Sequence, residues 1–100
     1  MLDKIAKVLS RTNKKIIIEG HTDNQAVKST KFPSNWELSS ARASTIVRYL
    51  IILYGMAPSR FAAVGYADQK PLVKNDTPEN RAKNRRIDIL IINDEKKVGI

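Results

Sequence analysis

The chain has 100 residues, enough for one domain with its own core, and 42% hydrophobic against 28% charged residues mark it as globular rather than disordered. It has no cysteine, which excludes a disulfide framework and a thiolate metal centre, and no apolar run reaches membrane-spanning length. The net charge of +8 invites a nucleic-acid reading, yet only Arg81, Lys83, Arg85 and Arg86 are densely spaced, with no aromatic residues among them to stack on bases. A solvated basic surface is therefore the expectation, with a basic nucleic-acid module as the alternative of another class.

Leu2, Ile5, Ala6 and Leu9 follow i, i+3, i+4, i+7 spacing and predict an opening amphipathic helix. Lys4 and Lys7 interrupt its apolar residues, so no secretory leader is expected there; a targeting or anchoring segment of an exported parent would lie elsewhere. Thr12-Asn13 ends the helix, and Ile16-Ile17-Ile18 predicts a short strand apolar on both faces. Gly20 is expected to turn the backbone just past that strand. Residues 25–34 read as a polar loop.

Ser34-Asn35-Trp36-Glu37 has the pattern of a capping box, opening a helix that runs to about Tyr54 and stops at a left-handed Gly55. Phe61 to Tyr66 predicts a second strand. After a turn-rich stretch, Thr77 caps a short helix with Pro78 in its first position. Arg86 to Ile92 closes the chain as a strand with Ile87, Ile89 and Ile91 on one face. The order α-β-α-β-α-β predicts an α/β two-layer sandwich, helices packed on one face of the sheet.

At roughly 100° per residue, Leu38, Ala41, Ile46, Tyr49, Ile52 and Leu53 fall on one broad face of the long helix, and Arg42 points into the same sector. Asn35, Ser39 and Arg42 form a polar strip approaching that point from the helix N-terminus. A cation there needs a partner, because an unpaired buried charge costs several kcal/mol. Asp23 or Glu19, at the end of the preceding strand, can supply one. The pair is either a structural ion pair at the core edge or a clamp for a zwitterionic ligand, and Asp23 is alternatively a turn residue. A strand C-terminus facing a helix N-terminus is where α/β folds place ligand sites.

Gly20-His21-Thr22-Asp23 also has the Gly-His-x-Asp spacing of zinc peptidases. A catalytic zinc needs at least three protein ligands, and the chain has no second histidine. Asp68, Asp76 and Asp88 show no ligand spacing, so no metal site is expected, and His21 reads as a packed residue. Ser39 and Ser40 lack a Gly-x-Ser-x-Gly elbow and a placed base. These readings point away from an enzyme.

Four motifs in order, Glu19-Gly20-His21-Thr22-Asp23-Asn24, Asn35-x-x-Leu38-Ser39-x-x-Arg42-Ala43, Val64-Gly65-Tyr66 and Asn84-Arg85-Arg86-Ile87-Asp88, resemble the OmpA-like peptidoglycan-binding domain over residues 2–93. The resemblance implies that the ligand is the diaminopimelate of the peptidoglycan stem peptide. It further implies that Asp23 takes the ligand's ammonium and Arg42 its carboxylate. Asn35, Leu38 and Ser39 would line the pocket, Thr22 and Asn24 would orient the loop, and Asn84 with Arg85 would support one wall. Binding would be non-covalent and would call for no cofactor. Arg42 suits the role because its two parallel donors match a carboxylate, and an ionised Asp23 beside it completes the clamp.

Within the family, the long loop before Phe32-Pro33-Ser34-Asn35-Trp36-Glu37-Leu38-Ser39 looks most like the flagellar stator proteins of the MotB type. That branch implies a dimeric parent, anchored in the inner membrane beside an ion-channel partner, with this domain on the periplasmic side. A wall-anchoring domain of a porin or lipoprotein is the alternative. The family's opening strand is not seen before Leu2, which leads to the expectation of a single domain shortened at its N-terminus, with an exposed sheet edge.

Overall fold

The computed structural model describes residues 2–27 and 29–92. The opening apolar pattern forms α1 (Leu2–Ser10), which buries Ala6 and Leu9 and lays Leu2 and Ile5 against the same core. Next come β1 (Lys15–His21), α2 (Asn35–Tyr54), a single 3-10 turn (Pro58–Arg60), β2 (Phe61–Gly65), α3 (Pro78–Asn84) and β3 (Arg86–Ile92), the order expected from the sequence. Among the described residues the sheet has three strands in the order β2-β1-β3. β2 runs parallel to β1, from Ile16↔Phe61 to Gly20↔Gly65, and β3 runs antiparallel, from Lys15↔Ile92 to His21↔Arg86. A parallel pair needs a crossover, which α2 provides.

The caps follow the predicted chemistry. Ser34 Oγ accepts the Trp36 amide at 3.2 Å and donates to the Glu37 carboxylate, while Gly55 sits at φ 65° with the Met56 amide closing back on the Leu50 carbonyl. Thr77 caps α3 through the Asn80 amide, with Pro78 behind it. Arg60 ties the 3-10 turn to the α1–β1 connection, donating to the carbonyls of Leu9 at 2.9 Å and Lys14 at 3.0 Å. Tyr54 donates its hydroxyl to Asp3, joining α2 to α1; that bond to a carboxylate holds the phenol above its ordinary value of 10.0.

Two expectations need correction. Gly20 is not a turn: it lies within β1, whose last residue is His21. Its side chain is absent because α2 fills the place, so that a Cβ there would lie 2.1 Å from the Ser39 carbonyl oxygen. A Cβ on Gly65, the parallel neighbour of Gly20, would meet Ser40 Oγ at 2.2 Å. Facing glycines draw the first half of α2 onto the sheet.

This close approach also sets the rotation of α2. The buried residues are Ser39, Ala43 and Leu50, with Ile46 and Val47 beside them, whereas Tyr49, Ile52 and Leu53 are exposed. The face predicted from Leu38, Ala41, Tyr49, Ile52 and Leu53 is thus about one residue, roughly 100°, out of phase. Large apolar side chains set the prediction, but small ones make the contact.

Strand alternation then assigns the sheet faces. Ile16 and Ile18 are fully buried under the helices, with Ile87, Ile89 and Ile91 of β3 beside Gly20, Ile18 and Ile16. Ile17, Glu19 and His21 lie on the other face with Leu90, Asp88 and Arg86.

Candidate ligand site at the exit of the central strand

Where β1 ends, the chain leaves the sheet through three buried polar residues, His21, Thr22 and Asp23. The Thr22 amide donates to the Ala67 carbonyl at 2.9 Å, and its hydroxyl donates to the Asp23 carbonyl at 2.8 Å. Asp23 Oδ1 accepts the Gln25 amide at 2.9 Å, the turn-forming role open to it from sequence. Its other oxygen, Oδ2, accepts from Arg85 Nη1 at 2.6 Å. Asn35, in the first turn of α2, donates to the Gln25 carbonyl at 3.0 Å and reaches the Asp23 carbonyl at 3.5 Å. Strand exit and helix start are thereby joined through backbone groups, leaving the Asp23 carboxylate oriented by one amide and one guanidinium.

Ser39 is fully buried one turn along the helix. Its hydroxyl donates to the Trp36 carbonyl at 3.2 Å and accepts the Ala67 amide at 3.0 Å. Ala67 is the one described non-glycine residue at positive φ, 53°, and these bonds to Ser39 and Thr22 hold it there. Asn84 is also fully buried: Oδ1 accepts the amides of Leu72 and Val73, and Nδ2 donates to the Val73 carbonyl and to Asn75 Oδ1. It shapes the 72–75 loop and delivers Arg85, its neighbour, to Asp23.

Of the residues selected from sequence, Thr22, Asp23, Asn35, Ser39 and Arg85 are thus linked by hydrogen bonds or shared partners, and Asn84 supports Arg85. Of the two readings open for Arg42, the structural ion pair with Asp23 or Glu19 is not formed among the described residues. Asp23 pairs with Arg85, and Arg42 is exposed, with no hydrogen bond or ion pair among the described residues. The reason is the rotation of α2: once Ser39 and Ala43 face the sheet, Arg42 leaves the core sector and needs no buried partner. Leu38 is half-buried. Asn35, Leu38 and Arg42 share one side of α2, with Arg42 about 10 Å along the axis from Asn35 at ~1.5 Å per residue.

A cleft of about 300 Å³ opens beside this network, lined by Asn24, Asn35, Ser34, Trp36, Ala67 and Asp68, with Ala26, Val27 and Pro33 closing its loop side. Asn24 and Asn35 were selected from sequence. Trp36, Ala67 and Asp68 were not; the 51% exposure of Trp36 has no sequence signal beyond its place in the first turn of the helix. Two larger grooves, of about 620 and 440 Å³, lie between α1 and β3 and between α1, α2 and β3, and are mostly aliphatic.

The Ser34 hydroxyl, followed by backbone amides, holds the Glu37 carboxyl below its ordinary value and strengthens the negative charge at the helix start. Burial pushes the His21 imidazole below 6.5, with Arg86 adding to the effect and Asp88 and Glu19 opposing it. In the basic run, Arg85 is engaged by Asp23 and Arg86 by Asp88, so two of its four cations are neutralised by acids.

A family model described as the OmpA family matches residues 1–85. Motility protein B of Bacillus subtilis (strain 168) is 46% identical over 77 residues, covering 77% of this chain and 30% of the relative. The structure of the cell wall anchor of the T6SS from Pseudomonas aeruginosa superposes with a TM-score of 0.82 at 38% identity, over 90% of this chain and 62% of that one. The C-terminal domain of Helicobacter pylori MotB gives a TM-score of 0.83 at 31% identity, over 94% of this chain and 70% of that one. The chain spans between 30% and 38% of the length of the first curated relatives it matches.

Proposed function

The chain belongs to the OmpA family, and from that premise we propose that it binds cell-wall peptidoglycan through the diaminopimelate of the stem peptide. The observation that carries this reading is the arrangement of the two charges. A buried Asp23 is held in orientation by Gln25 and Arg85, and Arg42, without a partner among the described residues, lies two turns along the side of α2 that carries Asn35. An ammonium approaching Asp23 meets a carboxylate already desolvated and fixed, and the ligand's own carboxylate meets the planar guanidinium of Arg42, which has no partner among the described residues. Arg85 acts through Asp23, keeping its carboxylate aimed. Asn24 and Asn35 supply hydrogen bonds from the cleft, and Leu38 offers the apolar contact between them.

Binding is reversible and involves no bond making or breaking. Likeness to Motility protein B and to MotB C-terminal domains supports a finer reading: the domain anchors a flagellar stator to the wall, in a dimeric parent held in the inner membrane, with this domain in the periplasm. Likeness to a T6SS wall anchor keeps wall anchoring as the part common to all such parents.

Co-sedimentation with purified sacculi tests the site. The unsubstituted chain pellets with the wall; Arg42→Ala and Asp23→Asn, each verified as folded by circular dichroism, remain in the supernatant. Folded variants that pellet as the parent does would overturn the assignment of both residues. Absence of pelleting by the parent chain would overturn the wall reading itself.

A further inference from the structure

On the sheet face opposite α1 and α2, the antiparallel register sets Glu19 across from Asp88 and His21 across from Arg86. Nε2 of His21 lies 3.3 Å from Asp88 Oδ2 and 3.7 Å from Glu19 Oε1, and the nitrogen and one oxygen of each carboxylate fall within 4.8 Å of one another. The imidazole is only 2% exposed, and among the described residues neither ring nitrogen makes a hydrogen bond. Native structures rarely keep a buried polar atom without a partner. Here Nε2 lies between two acids, at ion-pair distance from each and without a well-aligned hydrogen bond to either.

We propose that Glu19, His21 and Asp88 form a binding site for a divalent transition-metal ion, of which zinc is the best match. Zinc bonds to imidazole nitrogen and carboxylate oxygen are ~2.0–2.2 Å, which places neighbouring donors of a tetrahedral set about 3.3–3.6 Å apart. The 3.3 Å separation from Asp88 matches this spacing and the 3.7 Å separation from Glu19 is about 0.1 Å beyond it. One imidazole with two carboxylates suits zinc, whereas magnesium and calcium prefer sets made wholly of oxygen.

The surroundings favour a ligand role. Tyr66 stacks on the His21 ring with centroids 5.4 Å apart and planes 14° from parallel, fixing its orientation. Arg86 Nε lies 3.2 Å and 3.1 Å from the two Asp88 oxygens and supplies the outer hydrogen bond that metal-bound carboxylates commonly have. Three protein ligands leave the fourth position of a tetrahedral set for a water molecule. The site is separate from the wall-binding reading, since the Asp23 carboxylate is turned to Arg85.

The test is calorimetric titration of the chelator-stripped chain with zinc chloride and with magnesium chloride, accompanied by thermal unfolding. The sequence has one histidine and no cysteine, so any site using an imidazole or thiolate ligand must include His21. The expected result is one zinc ion per chain, a Tm raised by zinc and not by magnesium, and affinity lowered about tenfold or more in Glu19→Gln and in Asp88→Asn. These two variants carry the test because neither replaces the buried ring. No saturable zinc binding, or binding unchanged in both variants, would overturn the proposal. Failure to bind sacculi would leave this result unaffected, and the converse also holds.

Discussion

Gly20→Ala tests whether close approach of backbone to backbone sets the position of α2. The new Cβ would lie 2.1 Å from the Ser39 carbonyl oxygen, 2.9 Å from its carbon and 3.3 Å from its Cα. An ordinary carbon–oxygen contact is about 3.3–3.6 Å, so helix and strand must separate by about 1 Å. All three atoms are backbone, and no rotamer change relieves the clash. Overpacking costs ~1–3 kcal/mol, and a contact that only a helix shift can relieve belongs at the upper end. The unfolded chain loses freedom with alanine, which offsets ~0.4–1 kcal/mol. The net destabilisation is about 2–3 kcal/mol, which lowers Tm by roughly 10–20 °C for a domain of this size. Gly55→Ala serves as the comparison: its Cβ would meet open space, and only the φ of 65° opposes it, at about 1 kcal/mol. Thermal and urea unfolding followed by circular dichroism measure both. A Gly20→Ala protein at least as stable as Gly55→Ala would refute the reasoning.

Asn84→Ala strands the amides of Leu72 and Val73 and the Val73 carbonyl, with an expected loss of about 2–3 kcal/mol; a urea midpoint close to that of the parent would show that water replaces the amide. Arg42→Ala should change stability by less than about 0.5 kcal/mol, since the side chain is exposed and has no ion pair among the described residues. Arg85→Ala leaves the buried Asp23 carboxylate short of a partner; because Arg85 is itself 46% exposed, the several kcal/mol for a fully buried pair shrink to about 1–2 kcal/mol. The two arginine variants ranked in the opposite order by chemical denaturation would restore Arg42 as the structural partner of Asp23.

The order and ends of the elements were legible because local chemistry decides them. Ser34, Gly55, Thr77 and Pro78 act within their own turn, and the Ile87, Ile89 and Ile91 alternation marks one face whatever lies opposite. The rotation of α2 was not legible. It depends on Gly20 and Gly65, which lie in other segments and act by what they lack, so an apolar count gave Tyr49, Ile52 and Leu53 a core role that Ser39 and Ala43 fill. Asp23 was found from its motif, but its partner was not: Arg85 reaches it through the Asn84 network, whereas the Arg42 pairing rested on the misplaced helix face. The grouping of Glu19, His21 and Asp88 needed the β1–β3 register, and spacing along the chain carries no trace of it.

Ala67 has a consequence for how the cleft meets a ligand. Its amide is taken by Ser39 and its carbonyl by Thr22, so this backbone unit is stitched at once to the helix and to the strand exit. Holding one residue in a single backbone conformation forgoes ~1–2 kcal/mol of entropy, a loss already incurred when the domain folds. The rim beside Asp68 therefore meets its ligand already ordered, and association need not freeze that stretch of loop again. Under the wall-binding proposal the ligand is one side chain of an immobile polymer and the buried area is small, so such rigidity is a direct source of affinity.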